Sequence, residues 1–373
     1  MLREARAIVT AATTLREHRT PFLVATVVSV HGSSYRQPGA RLLATAEGRV
    51  AGNISGGCLE KDLIRSGFWR TRSGPVLVRY DSTDPQGSEI SLGCGGIVEV
   101  LLEQASGRDE DDDPLAFIRE ALTSERPAIL VTVFRSTDPS VPIGTRWCKQ
   151  DEQLFPSSTK QAETQEAHDI AECIFSTWPV APGDVHAASR RLETAAGVIE
   201  LLIEPIVPPP HLFVLGTGLD AVPLVGVARQ LGWSITMWNP SHSFSSRATF
   251  EGTGAQIVSD LDVVRARIDA SDRAMVVVMG HHLANDRAAL STAIASRAQY
   301  IGVLGPRHRT VSLAAELPGM LDDPRVHAPV GLDLGAETPD EIALAIAAEM
   351  LASLHRTSAA PLRQRRTIHV TSE

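Results

Sequence analysis

Between His211 and His355 the chain switches repeatedly between short apolar runs and longer amphipathic ones, a rhythm few folds accept. The runs "HLFVLG", "SITMWN", "AMVVVMG" and "YIGVLG" have the length and side chains of strands, whereas "DAVPLVGVARQLG", "NDRAALSTAIASR" and "TPDEIALAIAAEML" carry apolar residues at helical spacing. Strands that alternate with helices are joined by crossovers, and crossovers make neighbouring strands parallel, so the segment is expected to form a doubly wound parallel sheet. The start of the last helix is written explicitly in the chain. Thr338 supplies an N-cap hydroxyl, Pro339 suits the first helical position, and Glu341 stands where it closes a capping box.

Upstream, Pro208, Pro209 and Pro210 enter neither a helix nor a central strand and read as a semi-rigid linker. The first segment opens with an amphipathic helix, "MLREARAIVTAATTLREHRT", whose mixed charges do not fit a signal peptide. "PFLVATVVSV" follows, a run suited to a strand buried on both faces. Two short strands are then expected in "RLLATAEGRVAG", a helix in "CLEKDLIRSGFW", and strands in "PVLVRYD" and "GIVEVLLE", before the acidic run "GRDEDDDP" breaks the pattern. A middle segment starts with the helix "PLAFIREALTSE" and the strand "AILVTVFRS", then passes through weakly periodic polar sequence to "VIELLIEPIVPPPH". The expected fold is therefore α/β, with a mixed α/β domain at 1–105, a middle α/β segment at 106–207, a Rossmann-like domain at 211–356 and a basic tail at 357–373.

Composition narrows the function. A net charge of −9 leaves no basic face for phosphate backbones, so nucleic acid is not the expected partner. No stretch approaches the roughly 18–20 apolar residues that span a bilayer, so no membrane segment is expected. The 4 cysteines, Cys58, Cys94, Cys148 and Cys173, form no CxxC pair, which fits a reducing cytoplasm better than a disulfide framework.

Two regions carry candidate chemistry. In "HLFVLGTGLDAVPL", Gly216 and Gly218 follow a strand and open a helix, with Ala221 where a third glycine would stand. Such a turn brings backbone close to a diphosphate at a helix N-terminus. The acid expected at the end of the second strand is replaced by Asn239, which leaves nicotinamide turnover poorly supported. His281, His282, Asp286, Arg307 and Arg309 are expected in loops after later strands, where His281, Arg307 and Arg309 are placed to face a nucleotide or anion in the same crevice. The pattern is equally compatible with His281 satisfying loop backbone groups and with solvated arginines. A metal site at the two histidines is disfavoured, because adjacent side chains in an extended loop point apart.

The other region is the first segment. "HGSSYRQPGARLL" gathers Arg36 and Arg41 in and beside one polar loop, "AGNISGGCLE" sets Gly56 and Gly57 before Cys58, and "LGCGG" flanks Cys94 with Gly95 and Gly96. Glycine clusters expose backbone N–H groups to anions, arginines add charged donors, and a thiolate is a soft ligand suited to late or soft metals and to sulfur chemistry. The same two cysteines are equally compatible with burial as small apolar side chains.

The stretches "ATVVSVHGSSYRQPGARLL", "GNISGGCLEKD" and "LGCGGIVEVLLE", with "LGTG", "YIGVLGPRHR" and "HAPVGLDLGAETPDEIALAIAAEML" downstream, resemble the XdhC/CoxI family of xanthine dehydrogenase accessory proteins. The resemblance implies a maturation factor rather than an NAD-dependent dehydrogenase, with a nucleotide-dependent Rossmann oxidoreductase as the alternative. It implies a chaperone that binds molybdenum cofactor as cargo and protects it. It also implies that the chaperone holds the cofactor while a cysteine desulfurase supports replacement of an oxo ligand by sulfur, and inserts it into a xanthine dehydrogenase-type molybdenum hydroxylase. Carried onto this chain, Cys94 is the first candidate for the thiol at molybdenum and Cys58 the second. Gly56, Gly57, Gly95 and Gly96 would allow close approach, and Arg36 and Arg41 would meet the phosphate or pterin edge. Two places depart from the family pattern: Asn239-Pro240-Ser241 stands for Asp-Pro-Arg, and Gly280-His281-His282 for Thr-His-Asp. The apolar last helix suits a homodimer contact as well as its own sheet.

Overall fold

A computed structural model describes residues 2–32, 34–81, 96–108, 113–124, 126–151, 153–155, 164–179, 186–240 and 250–364. The chain forms two compact units, Met1–Pro208 and Pro209–Glu373, which meet in the proline run.

The first unit contains two five-stranded sheets. After helix α1 (Leu2–Glu17) come β1 (Phe22–His31), β2 (Arg41–Thr45), β3 (Gly48–Gly52), α2 (Cys58–Arg70), β4 (Val76–Asp81) and β5 (Ile97–Ala105), in sheet order β3-β2-β1-β5-β4. Strand β1 is central and antiparallel to both neighbours, and its apolar run is buried on both faces. Leu23, Ala25 and Val27 pack with Leu59 and Leu63 of α2, while Phe22 and Val24 pack with Ile8, Val9 and Ala12 of α1. Then follow α3 (Ala116–Ser124), β6 (Ala128–Ser136), β7 (Arg146–Gln150), β8 (Gln153–Phe155), α4 (Gln165–Thr177), β9 (Ala188–Glu193) and β10 (Val198–Ile206), in order β8-β7-β6-β10-β9. Val28 and Leu101 of the first sheet share one buried cluster with Phe134 and Leu202 of the second.

The middle segment holds more structure than its sequence pattern announces. Strand β9, "ASRRLE", is an edge strand and keeps charged residues along its length, which hides its period. Helix α4 buries only Ala167, Ala171, Ile174 and Phe175, a narrow stripe diluted by polar neighbours.

The second unit is the expected parallel sheet, in order β13-β12-β11-β14-β15-β16. Its strands are β11 (His211–Leu215), β12 (Ser234–Trp238), β13 (Gln256–Val258), β14 (Ala274–Val278), β15 (Tyr300–Val303) and β16 (Val326–His327), every pair parallel. Helices α5 (Ala221–Leu231) and α9 (Pro339–Leu354) cover one face through Leu224, Val225, Ile346 and Met350. On the other face, α6 (Leu261–Asp269), α7 (Leu283–Ile294) and α8 (Arg307–Glu316) contribute Val264, Ile268, Leu290 and Leu313. Helices on both faces make the unit a doubly wound α/β fold of Rossmann strand order. The cap of α9 forms as its sequence dictates: Thr338 Oγ1 accepts from the Glu341 amide at 3.3 Å, and Glu341 accepts from the Thr338 amide at 2.9 Å. The apolar stripe of α9 is buried within its own unit. No helix among the described residues is long and apolar enough to cross a membrane.

Candidate functional site

Antiparallel pairing brings the strand ends that flank the glycine-rich stretches of the first unit to one end of its first sheet. His31, the last residue of β1, and Asp81, the last of β4, both pair with Ile97, the first of β5. Gly52, which ends β3, pairs beside the start of β2. The described strand ends that flank the three glycine-rich stretches, His31 and Arg41, Gly52, and Asp81 and Ile97, therefore lie at the same end of the sheet. Cys58 begins α2 there, directly after Gly57, whose φ of 114° is a left-handed conformation that favours glycine. Among the described residues, a side-chain carbon added at Gly56 or Gly57 would meet nothing within 4 Å. Cys94 and Gly95 lie outside the described residues, and Gly96 leads into β5.

The sequence suggests bare amides in this loop, and the structure corrects that. Glu60, in the first turn of α2 and only 6% exposed, accepts from the amides of Ile54 at 3.0 Å, Ser55 at 2.7 Å and Gly57 at 3.1 Å. The Ser55 hydroxyl also donates to Glu60, and the Leu59 amide donates to Ser55 Oγ at 3.2 Å. Burial pushes the Glu60 carboxyl upward, but the hydrogen bonds from Ser55 and from the loop amides outweigh it and hold the group below the usual carboxylate range. A buried carboxylate thus fixes the shape of the Gly-Gly-Cys loop from beneath. Nothing in the sequence pattern marks it beyond an acid in a helical first turn.

The two arginines separate. Arg36 forms an ion pair with Glu4 of α1, whose other oxygen accepts from the Asn53 amide at 3.4 Å, so one carboxylate joins two of the glycine-rich connections. Arg41 instead turns inward. Its guanidinium donates to both carboxylate oxygens of Glu204 at 2.8 and 2.5 Å and to the Gly39 carbonyl at 2.9 Å, all in buried surroundings. Arg41 is a bracket between the two sheets rather than a group on the open edge.

The crevice of the second unit lies where strand order reverses, between β11 and β14. Gly216, at φ 144°, would place a side-chain carbon 2.6 Å from the Met279 carbonyl oxygen, so the turn after β11 rests directly on the exit of β14. Ala221 is fully buried where the helix meets the sheet. The space over Gly218 is occupied: a carbon there would collide with Asp220 Oδ1 and come within 2.5 Å of His281 Nε2. Those two side-chain atoms stand 3.4 Å apart. A diphosphate approaching the turn meets a carboxylate and an imidazole before it meets backbone. Asn239 is 4% exposed and its amide donates to the Val258 carbonyl at 2.9 Å.

Asp286, Arg307 and Arg309 are not in loops as the sequence reading expects; they lie in the opening turns of α7 and α8. Arg309 pairs with the buried Asp286 and donates to the Gly280 carbonyl, which locks the floor of the crevice, while Arg307 is exposed. Gly280 has no room for a side chain because Asp286 lies against it. Among the described residues no three His, Cys, Asp or Glu side chains are placed to hold a metal ion.

Comparison with known proteins fits this geometry. The description "XdhC and CoxI family" matches residues 15–81, and "XdhC Rossmann domain" matches residues 212–350. A probable xanthine dehydrogenase subunit of Bacillus subtilis (strain 168) is 29% identical over 352 residues, covering 92% of this chain and 96% of that protein. The molybdenum cofactor insertion chaperone PaoD of Escherichia coli (strain K12) is 22% identical over 340 residues, covering 88% of this chain and 82% of that protein. A crystal structure of a xanthine dehydrogenase from Bacillus halodurans superposes with a TM-score of 0.68 at 24% identity, covering 95% of this chain and 99% of the other, and supports the fold. One of these descriptions falls in each unit, so the first unit is similar to the XdhC and CoxI family and the second to the XdhC Rossmann domain.

Proposed function

We propose that the chain is an accessory chaperone that binds molybdenum cofactor as cargo on the open edge of its first sheet and delivers it to a xanthine dehydrogenase-type hydroxylase. The observation that carries this reading is that the strand ends flanking the three glycine-rich stretches lie together at one end of the sheet, with Arg36 and the start of α2 in the described parts of those stretches. The cofactor is an anionic pterin phosphate with soft sulfur ligands at an oxidisable metal. Glycines give it close approach, Arg36 a charge partner, and Cys94, with Cys58 as second candidate, a soft sulfur at molybdenum. Held there, the cofactor would be accessible to a cysteine desulfurase as its sulfur source. The names of the Bacillus subtilis and Escherichia coli relatives support the same class of partner and cargo. A dinucleotide-dependent oxidoreductase has less support, because Asp220 and His281 fill the space over Gly218.

Transfer tests the proposal. Cofactor-loaded chain is mixed anaerobically with cofactor-free hydroxylase, and hydroxylase turnover is followed together with molybdenum on each protein. The expected result is that molybdenum leaves the chain as turnover appears, with little transfer from Cys94→Ala. Turnover that rises equally without the chain overturns the chaperone role.

A further inference from the structure

The two sheets of the first unit repeat one another. Each half runs helix, three strands, helix, two strands, and the sheet orders β3-β2-β1-β5-β4 and β8-β7-β6-β10-β9 are the same topology. The agreement extends to single atoms. Gly39 and Gly144 have φ values of 90° and 91°, and their amides donate to Val27 and Val133 at 2.8 Å in each case. Val27 and Val133 in turn donate to Ala40 and Thr145 at 2.9 Å. Arg41 and Arg146 each donate to the carbonyl two residues back, at 2.9 and 3.0 Å. The pairing of β1 with β5 and of β6 with β10 shifts register at the same place, leaving Val28 and Phe134 as the extra residues, and both enter the cluster between the sheets. The sequence carries the trace too: "GIVEVLLE" at 96–103 and "GVIELLIE" at 197–204.

Contacts between the halves are reciprocal. Arg41 of the first reaches Glu204 of the second, and Arg146 of the second reaches Glu103 of the first. Arg135 donates to both members of another matched pair, Glu99 at 2.7 Å and Glu200 at 2.6 Å. Residue i meeting j while j's counterpart meets i's counterpart is the signature of a two-fold interface.

The halves differ where the candidate site lies. In the first, Gly57 is the N-cap of α2 and the buried Glu60 holds the preceding loop. In the second, the matching positions are Thr164, whose hydroxyl accepts from the Ala167 amide at 3.2 Å, and the apolar, buried Ala167. The connection after β6 is tied shut by Asp138, which accepts from Ser140 at 2.9 and 2.6 Å and from Thr194 at 2.5 Å.

We infer that residues 2–206 are two fused copies of one module, that only the first copy binds the cargo, and that Glu60 is the positioning residue that shapes its site. The second copy is the closed form, completing the scaffold through the exchanged Arg–Glu pairs. This inference rests on the cargo reading above. Glu60 touches loop amides, not cargo, so its role is to hold Ile54, Ser55 and Gly57 in place.

Cofactor affinity and melting temperature are measured for wild type, Glu60→Gln, Gly57→Thr/Glu60→Ala and Thr164→Gly/Ala167→Glu. Glutamine keeps the shape of Glu60 but turns an N–H toward the donors of the loop. Glu60→Gln is expected to stay folded with a melting temperature a few degrees below wild type, because a buried donor is left unpaired, and to bind about tenfold or more weakly, the scale of effect seen when a ligand-orienting partner is lost. Gly57→Thr/Glu60→Ala is expected to bind at least as weakly, and the second-copy variant to bind like wild type. Wild-type affinity in Glu60→Gln, or an equal loss in the second-copy variant, overturns the inference. A wild type that binds no cofactor overturns the cargo reading itself, and the division of labour with it.

Discussion

Arg41 and Arg36 sit five positions apart in one glycine-rich stretch, yet the structure gives them opposite work. Arg41 is held bidentate by Glu204, a partner 163 residues away, so no reading of local sequence finds the pair. Removing one member of a buried pair strands the other charge, and Arg41→Ala is expected to cost about 3–5 kcal/mol in denaturant unfolding. The pair of Arg36 with Glu4 is more exposed, so Arg36→Ala is expected to cost about 1 kcal/mol or less while weakening cofactor binding. Equal stability losses for the two variants would contradict this division. Cys148 repeats the lesson: burial, and then the charge of Glu120, push its thiol up to about 11, which makes it a small apolar side chain in the core rather than a reactive group.

At the scale of elements, long apolar strands and well-capped helices are legible because their signals are local. β1, α2, β11 and α9 all form where their sequences place them. Edge strands such as β9 and β13 are not, since polar residues on an exposed edge leave no period. Helix α8, "RHRTVSLAAE", is missed because its arginines and histidine read as loop chemistry. Burial in the parallel sheet also makes a pH prediction. His211 at the start of β11 bonds Thr236 Oγ1 at 2.9 Å and stacks on Phe213 with ring centroids 4.1 Å apart. Burial, with the nearby charge of Arg267, lowers its pKa from 6.5 to about 4. A depressed histidine is protonated more readily in the unfolded chain. Stability is therefore complete above pH 6.5, falls as pH drops toward 4, and levels off below, a loss of about 3 kcal/mol. Hydrogen exchange at the β11 amides across that window should show the decline, and His211→Asn should flatten it. An unchanged slope in the variant would assign the effect elsewhere.

On the scale of the whole molecule, the Rossmann half and the Gly-Gly-Cys loop are readable from residues alone, because glycine, proline and capping residues announce turns. What escapes the sequence is the relation between segments: the repeat of one module within residues 2–206, the exchanged arginines that join its copies, and the buried Glu60 that closes amides a glycine cluster would otherwise leave open. The chain resembles its relatives over nearly its whole length, so the account stands or falls on cargo. The most direct measurement is anaerobic purification followed by molybdenum and pterin analysis of the wild type, Cys94→Ala and Cys58→Ala. The predicted result is about one molybdenum and one pterin per wild-type chain, most of it lost in Cys94→Ala. A wild type free of both, or a Cys94→Ala variant as fully loaded as the wild type, would contradict it.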